Sequence, residues 1–356
     1  MKKTLIALAT LAAVSGTAFA QSSVTLSGVY SASYQTDLTS TTANPAFAGS
    51  ATTAPTAAKL NFGSAKGFAI TDANLKLAAV EDLGGGLKAS FDYTLETGAQ
   101  RGALVTRADS GMGLSGAFGS VAVRNTRSSD LIASIGSAAI SLPDGLYDST
   151  GIVSRSNIDT VSYTTPAMNG FTGSFTFVEN NEGNIAAATS NKSANVIGVA
   201  YANGPLTVSA AFKSKAASAA AVTGLTSKAT TELAVSYDLG VAKVAYAFDG
   251  ASVEGASSAA LVADGAGTIL SAANAQTIAN LQTKSANGFS VTVPVGAVTL
   301  GMNYFKRDVA KVTEFGATYA FSKRTSLSAS TGKKSGLAAE AGYNGTQNRI
   351  MMKHTF

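Results

Sequence analysis

Apolar and polar residues alternate along this chain in stretches of about ten residues, and this pattern strongly limits the possible folds. In LKASFDYTLE (87–96), Phe91 and Tyr93 fall on one side while Asp92 and Glu96 fall on the other. Successive side chains of a β-strand point to opposite faces, so a period of two indicates strands with one apolar and one polar face. A tilted strand of this length can cross a bilayer.

About sixteen such stretches follow one another as far as Phe356, and an even number is typical of single-chain outer-membrane barrels. They lie near residues 24–34, 71–81, 86–96, 107–116, 119–126, 158–166, 170–178, 195–202, 204–213, 230–238, 240–249, 286–294, 296–305, 311–320, 324–332 and 347–356. The alternative is a soluble β-sandwich. A sandwich buries its apolar faces against each other and does not require strands this regular in length or this even in number.

Short and long connections also alternate. Tight turns rich in Gly, Asn, Asp and Pro are followed by long loops, the longest near 35–70, 127–157 and 250–285. This asymmetry is typical of a bacterial outer-membrane barrel, which has short periplasmic turns and longer external loops. Asp130 predicts the start of a short helix inside the loop at 127–157, and a second short helix is expected near 258–282.

The N-terminus predicts a cleaved signal peptide over residues 1–20 and a barrel over residues 21–356. A basic start precedes an apolar run from Leu5 to Val14, and Ala18-Phe19-Ala20 forms a small-x-small cleavage site. The run is too short for a transmembrane anchor, and no later stretch has eighteen consecutive apolar residues.

Composition excludes several function classes. The chain has no Cys, so disulfides, thiolate metal sites and Cys nucleophiles are excluded. Its basic residues form no patch interleaved with aromatics, so nucleic-acid binding is not expected. His354 is the only histidine and has no partner evident by spacing, and the loop carboxylates show no Asp-x-Asp cluster for Ca²⁺. No enzymatic activity, metal or cofactor is therefore predicted.

The alternation assigns charged residues to the polar side of the barrel, which should line its lumen. A Lys or Arg facing lipid at midplane would cost about 2–4 kcal/mol. The residues assigned inward are Lys76, Lys88, Asp92, Glu96, Arg124, Lys213, Glu232, Asp238, Lys243, Asp249, Arg307 and Glu314. Their charges nearly cancel, which predicts a weakly selective wall.

A constriction is expected where arginines and loop acids coincide. Five of the eight arginines lie between residues 101 and 155, close to the acids of the 127–157 loop. Opposed rows of charge in a narrow pore decide which ions pass. The hypothesis places Arg107, Arg124, Arg155 and Lys76 across the aperture from Asp130, Asp144 and Asp148. The alternative is that these charges lie at strand ends and in solvated loops.

Several segments resemble the general porins of β-proteobacteria, and they occur in that family's order. The matching pieces are EDLGGGLKASF (81–91), GLSGAFGSVAV (113–123), VSYTTPAMNGF (161–171), YANGPLTVSAAF (201–212), VPVGAVTLG (293–301) and YAFSKRTSL (319–327), with QSSVTLSGVY (21–30) and RIMMKHTF (349–356) at the two ends. The resemblance implies an all-β, sixteen-stranded antiparallel transmembrane barrel in outer-membrane lipid, usually a homotrimer. It further implies that the third loop, here about 127–157, folds inward, and that Phe356 is read by the barrel-assembly machinery.

The chain departs from the family pattern at positions that set pore charge. The family's Gly-Arg-Gln after the fifth strand reads Arg124-Asn125-Thr126, which moves the arginine by one position. Its Ser-Arg entering the second strand reads Ala73-Asn74, with Lys76 as a replacement charge. The family's usual Trp residues and its first-strand Tyr are missing, the latter being Ser27 here. The ion preference therefore cannot be carried over from the family.

The predicted function is passive diffusion of small hydrophilic solutes and ions through a water-filled pore. Two alternatives remain open at this point. The first is a channel specialised for small organic anions, and the second is a structural or adhesive surface barrel whose enlarged loops contact other cells.

Overall fold

The computed structural model describes residues 22–36, 67–97, 105–142, 152–153, 155, 157–179, 193–215, 225–255, 283–336 and 345–356. These residues form eighteen strands and one short helix, α1 (Leu131–Ser134). The strands are β1 (Ser23–Gln35), β2 (Gly67–Gly84), β3 (Leu87–Thr97), β4 (Val105–Gly116), β5 (Gly119–Arg127), β6 (Asn157–Thr164), β7 (Phe171–Glu179), β8 (Ala194–Asn203), β9 (Leu206–Lys213), β10 (Leu225–Ser227), β11 (Thr230–Asp238), β12 (Lys243–Asp249), β13 (Val253–Gly255), β14 (Ala286–Val295), β15 (Val298–Arg307), β16 (Ala310–Ala320), β17 (Thr325–Ser335) and β18 (Gly345–Thr355).

Sixteen of these strands form one closed antiparallel barrel, which confirms the predicted fold class. Ring order follows chain order, and the ring closes where β1 pairs with β18. The two remaining strands, β10 and β13, pair with each other as a separate small sheet. They belong to the connections that follow β9 and β12, so the sequence count of sixteen barrel strands is correct.

The two ends of the barrel differ in the length of their connections. At one end β2 and β3 are joined by Gly85-Gly86, whose φ angles of 62° and 81° suit the tight two-residue turn of a hairpin. The other end carries the long connections, with one exception. There Asp308-Val309 joins β15 to β16, and Asp308 adopts a φ of 53°.

Each barrel strand has one apolar and one polar face, and the apolar face is exposed. On β16, Phe315 and Tyr319 are 50% and 46% exposed, whereas Glu314 on the opposite face is 1% exposed. An apolar surface this extensive on the outside of a protein indicates contact with a membrane or another protein. Among the described residues, no helix is both long and apolar enough to cross a membrane.

A small buried core lies on the polar face of the barrel. It forms where α1 and the residues after it contact the strands, and it includes Ile132, Ile152, Phe305 and Val312, each fully buried. The short helix begins after Asp130, as predicted. The second predicted helix, near 258–282, lies outside the described residues.

The C-terminal residue seals the junction of the first and last strands. Gly28 and Phe356 exchange two backbone hydrogen bonds, of 3.0 and 3.1 Å. The Phe356 ring lies over Gly28, where an added Cβ would come within 2.3 Å of the ring Cζ atom and 2.6 Å of the Asn74 carbonyl oxygen. Glycine at position 28 therefore makes room for the terminal aromatic ring.

Substituting Gly28→Ala is expected to weaken this junction by about 1–3 kcal/mol, the usual range for overpacking. The matched control is Gly173→Ala, because a Cβ there meets its nearest neighbour at an ordinary 3.4 Å. Urea unfolding of the purified protein in detergent, followed by heat-modifiable gel migration, measures the difference. Equal unfolding midpoints for the two variants would contradict the packing of Phe356 on Gly28.

Candidate functional site

Residues 129–142, here named the third-loop segment, lie against the polar face of the barrel. Ser137 N donates to Asn303 Oδ1 at 2.9 Å, and Ser137 Oγ is 2.7 Å from Thr292 Oγ1. Further along, Ser141 N donates to Ser330 Oγ at 2.8 Å. The segment's contacts run from β9, through Lys213 and the Ser129 carbonyl, to β18, through Arg349 and the Ser141 carbonyl.

Two glycines let the segment approach the wall closely. A Cβ added at Gly301 would lie 2.4 Å from Ser137 Oγ, and one at Gly316 would lie 2.6 Å from the Ala139 carbonyl oxygen. Both distances are shorter than real side-chain contacts. Because the segment lies so close to the wall at Gly316, the Ala139 carbonyl oxygen also accepts a hydrogen bond of 3.2 Å from Thr318 Oγ1.

Three buried carboxylates anchor the start of the segment. Asp130 caps α1, since its Oδ1 accepts from Ile132 N at 2.8 Å. It lies beside Glu232 and Asp249, and one carboxylate oxygen of each lies within 4.8 Å of the others. Burial, reinforced by the nearby Asp249 carboxylate, raises the pKa of Asp130 above its ordinary value.

Two cations balance most of this negative charge. Lys213 forms an ion pair with Glu232, and Arg307 forms one with Asp249. Carboxylate oxygens could also serve as metal ligands. Here, however, the three acids already accept from α1 and from the two cations, so the cluster acts as the anchor of the segment.

Arg307 is fully buried and joins three parts of the chain. Its Nε donates to the Ile152 carbonyl at 2.9 Å and its Nη1 to the Lys284 carbonyl at 2.7 Å, while Nη2 donates to Asp249. A guanidinium has five donors in a planar fork, which suits it to link several acceptors at once.

A charged triad lies on the polar face of β2, β3 and β5. These strands are on the opposite side of the ring from the strands that the segment contacts. Arg124 on β5 makes a two-pronged pair with Asp92 on β3, with both N–O distances at 2.8 Å. Lys76 on β2 is 3.6 Å from the same carboxylate. Lys76 and Arg124 keep 46% and 35% of their side-chain surface exposed, whereas Asp92 keeps 15%. The triad itself therefore has two cations and one carboxylate, and the Asp109 carboxylate also acts on Arg124.

The structure brings together only part of the predicted constriction. Among the described residues, Arg124 pairs with Asp92 on the wall, while Asp130 lies with the acids and cations of the anchor. Arg155 is half-buried. The side chain of Arg107 and all of Asp144 and Asp148 lie outside the described part of the chain. The facing of arginines and loop acids across an aperture stays a prediction.

The predicted wall residues occupy the polar face. Lys243 on β12 is directly opposite Asp238, and Lys88 on β3 is opposite Ser115. Glu96 is opposite Asn74 on β2. Sequence reasoning missed Asn303, Ser330 and Arg349, which the segment contacts. The sequence carries one signal of these contacts: apolar residues such as Phe305 interrupt the polar face nearby.

The comparisons with known proteins point to one family. The family model described as Gram-negative porin matches residues 7–338. A relative, the outer membrane porin protein 32 of Delftia acidovorans, is 35% identical over 264 residues, which cover 68% of each chain.

Solved porin structures have the same fold. The anion-selective porin from Comamonas acidovorans superposes with a TM-score of 0.58 at 21% identity, and a mutant of the Rhodopseudomonas blastica porin with 0.57 at 12% identity. Each comparison covers 94% of this chain and 100% of the other. At such low identity these two likenesses support the fold alone. Together with the match to the family model and the closed sixteen-strand barrel, the comparisons show that this chain belongs to the Gram-negative porin family and is an outer-membrane channel.

Proposed function

We propose that this porin is a general diffusion channel whose aperture lies between the third-loop segment and the wall formed by β2, β3 and β5. In outer-membrane barrels the apolar face contacts lipid and the polar face lines the interior. The third-loop segment lies on the polar face and therefore occupies part of the lumen. Its described contacts run along one half of the ring, from β9 to β18, and we infer that solutes pass along the other half.

The observation that carries the proposal is the exposed Lys76–Asp92–Arg124 triad facing the bound segment. Across from it, the described part of the segment presents small neutral residues, with Ser134, Gly136 and Ala138 exposed. Within the triad two cations stand against one carboxylate, and the Asp109 carboxylate also acts on Arg124, so opposite a neutral surface the preference for anions is at most weak.

Opposite shifts in ion preference are expected when the two charges of the triad are neutralised separately. Asp92→Asn should raise the anion-to-cation permeability ratio and Arg124→Gln should lower it. Each change should reach at most about thirtyfold, because a unit charge about 4 Å away changes the energies of an anion and a cation by about 1 kcal/mol each in water, in opposite directions. Reversal potentials across a planar bilayer under a salt gradient measure the ratio.

Lys323→Gln is the control, since it removes one exposed charge from the turn between β16 and β17, far from the triad. An unchanged ratio in both triad variants would place the aperture elsewhere.

A second candidate function is a channel specialised for small organic anions, favoured by the paired guanidinium and ammonium of the triad. A third is an adhesive barrel. Liposome swelling separates the three: a general porin passes solutes by size, a specialised channel saturates, and a closed adhesin passes none.

The remaining features of the proposal follow from the resemblance. Residues 1–20 would be removed on export, Phe356 would be read by the barrel-assembly machinery, and three copies would associate. N-terminal sequencing of the protein from outer membranes tests the first feature. Gel migration without boiling tests the last.

A further inference from the structure

Three exposed lysines lie on the lipid-facing side of the barrel, at the end that carries the loops. Lys306 on β15 is directly opposite Lys311 on β16. Lys333 on β17 is opposite Thr313, two residues along β16 from Lys311. All three are exposed, and in each strand they alternate with buried residues of the polar face.

No ion pair within the described part of the chain balances the positive charge of this lysine cluster. None of the described carboxylates forms an ion pair with these three ammonium groups, although Asp308 lies in the adjoining turn. Like charges directly opposite each other on neighbouring strands destabilise a sheet. An anion held between Lys306 and Lys311 would remove that repulsion.

A groove opens on the same face, nearer the middle of the membrane. It has a volume of about 550 Å³ and lies between β16, β17, β18 and β1. Tyr34, Phe315 and Ile350 form its sides, and Ala317 and Ala329 leave space between them. Such a groove can hold an extended hydrocarbon chain.

The spacing between the lysines and the groove suits a lipid. Phe315 follows Lys311 by four residues on β16, and Ala329 precedes Lys333 by four residues on β17. Four residues of antiparallel strand span about 13 Å. A head group at the lysines would therefore place its acyl chain beside the groove.

We propose that Lys306, Lys311 and Lys333 bind the phosphate groups of a phosphorylated lipid in the outer leaflet, with one acyl chain in the groove. Each ammonium group offers three donors to phosphate oxygens, and clusters of lysine at a membrane surface attract anionic head groups. Free phosphate would use the lysines but not the groove. A second copy of the chain could also cover the groove, and the variant that fills the groove tests that occupant below.

The test uses the intact porin purified in a nonionic detergent and native mass spectrometry to count bound lipid. The probes are lipid A with both phosphates, the same lipid after dephosphorylation, and inorganic phosphate. Lys311→Gln/Lys333→Gln removes two charges of the cluster, and Lys323→Gln/Arg324→Gln removes two exposed charges from the opposite end as the matched control. Ala329→Phe fills the groove and keeps all three lysines.

The phosphorylated lipid is expected to bind the cluster variant about 30-fold more weakly than the parent protein, from the usual contribution of two lysines at an anionic membrane surface. The control variant should bind it like the parent, and Ala329→Phe should bind both lipids more weakly. The proposal is overturned if dephosphorylated lipid binds the parent as tightly, or if the cluster variant binds like the control. It is also overturned if inorganic phosphate displaces the lipid at equal concentration, or if Ala329→Phe dissociates an oligomer while lipid binding is unchanged.

Discussion

Arg307→Met is expected to destabilise the folded barrel by about 3–5 kcal/mol, the usual effect of removing one member of a buried ion pair. The substitution leaves the buried Asp249 carboxylate without its cation. It also removes the donors that satisfy the Ile152 and Lys284 carbonyls. The free energy of unfolding, measured by urea titration of the protein reconstituted in detergent or lipid, reports the change.

Two further variants make this expectation specific. Arg324→Met removes the same side chain from an exposed turn and should leave stability almost unchanged. Arg307→Met/Asp249→Leu removes both charges, and part of the lost stability should return because no carboxylate is left buried without a cation. A double variant less stable than Arg307→Met would show that the ion pair is not the source of the effect.

Gly301→Leu/Gly316→Leu is expected to lower single-channel conductance by about twofold or more, since conduction depends on the width of the narrowest passage. Both side chains would project from the polar face into the space now occupied by Ser137 and Ala139. The third-loop segment would move away from the wall and toward the open half of the lumen. Single-channel recording in planar bilayers measures the result.

The control for this variant is Thr176→Leu, which adds bulk to the polar face of β7, away from the described contacts of the segment. Its conductance should stay close to that of the parent. A normal conductance in the double glycine variant, with the barrel folded, would mean that residues 129–142 do not limit the passage.

The barrel could be predicted from the sequence because its strands separate lipid from water along their whole length. On β3, Phe91 must face one medium and Asp92 the other, so the period of two is uninterrupted. The tight turns were equally readable, since backbone with positive φ at Gly85 and Gly86 favours glycine. Strand alternation and turn conformation each depend on a few neighbouring residues, so both can be recognised in a short stretch of sequence.

The packing of the third-loop segment was less accessible, because alternation assigns a residue to a face without saying what covers it. A signal was nevertheless present. Ala245 and Ala247 on β12, Phe305 on β15 and Val312 on β16 are apolar at positions where the polar face should continue. They are buried where the segment meets the wall. Apolar interruptions of the inner face thus mark the strands that a loop covers.

The anchor could not be predicted as a group. Asp130, Glu232 and Asp249 come from a loop and two strands, and no short spacing relates them. The triad was only partly predicted: Lys76, Asp92 and Arg124 were assigned inward, but the wall pairing of Arg124 with Asp92 depends on strand register. The hypothesis from the sequence therefore did not include the ion pair of Arg124 with Asp92, and the facing of Arg124 and the loop acids stays a prediction.

The pairing of β1 with β18 determines when this protein can finish folding. Because Phe356, next to β18, bonds to Gly28 on β1, the ring cannot close until both of these strands have been made and delivered to the membrane. Before that moment, every partly built sheet has two open edges, and exposed edges readily pair with other chains. Closure between the most distant parts of a chain is also intrinsically slow. The slow step and the aggregation-prone species thus share one origin, so a factor that shields the free edges of β1 and β18 would act on both.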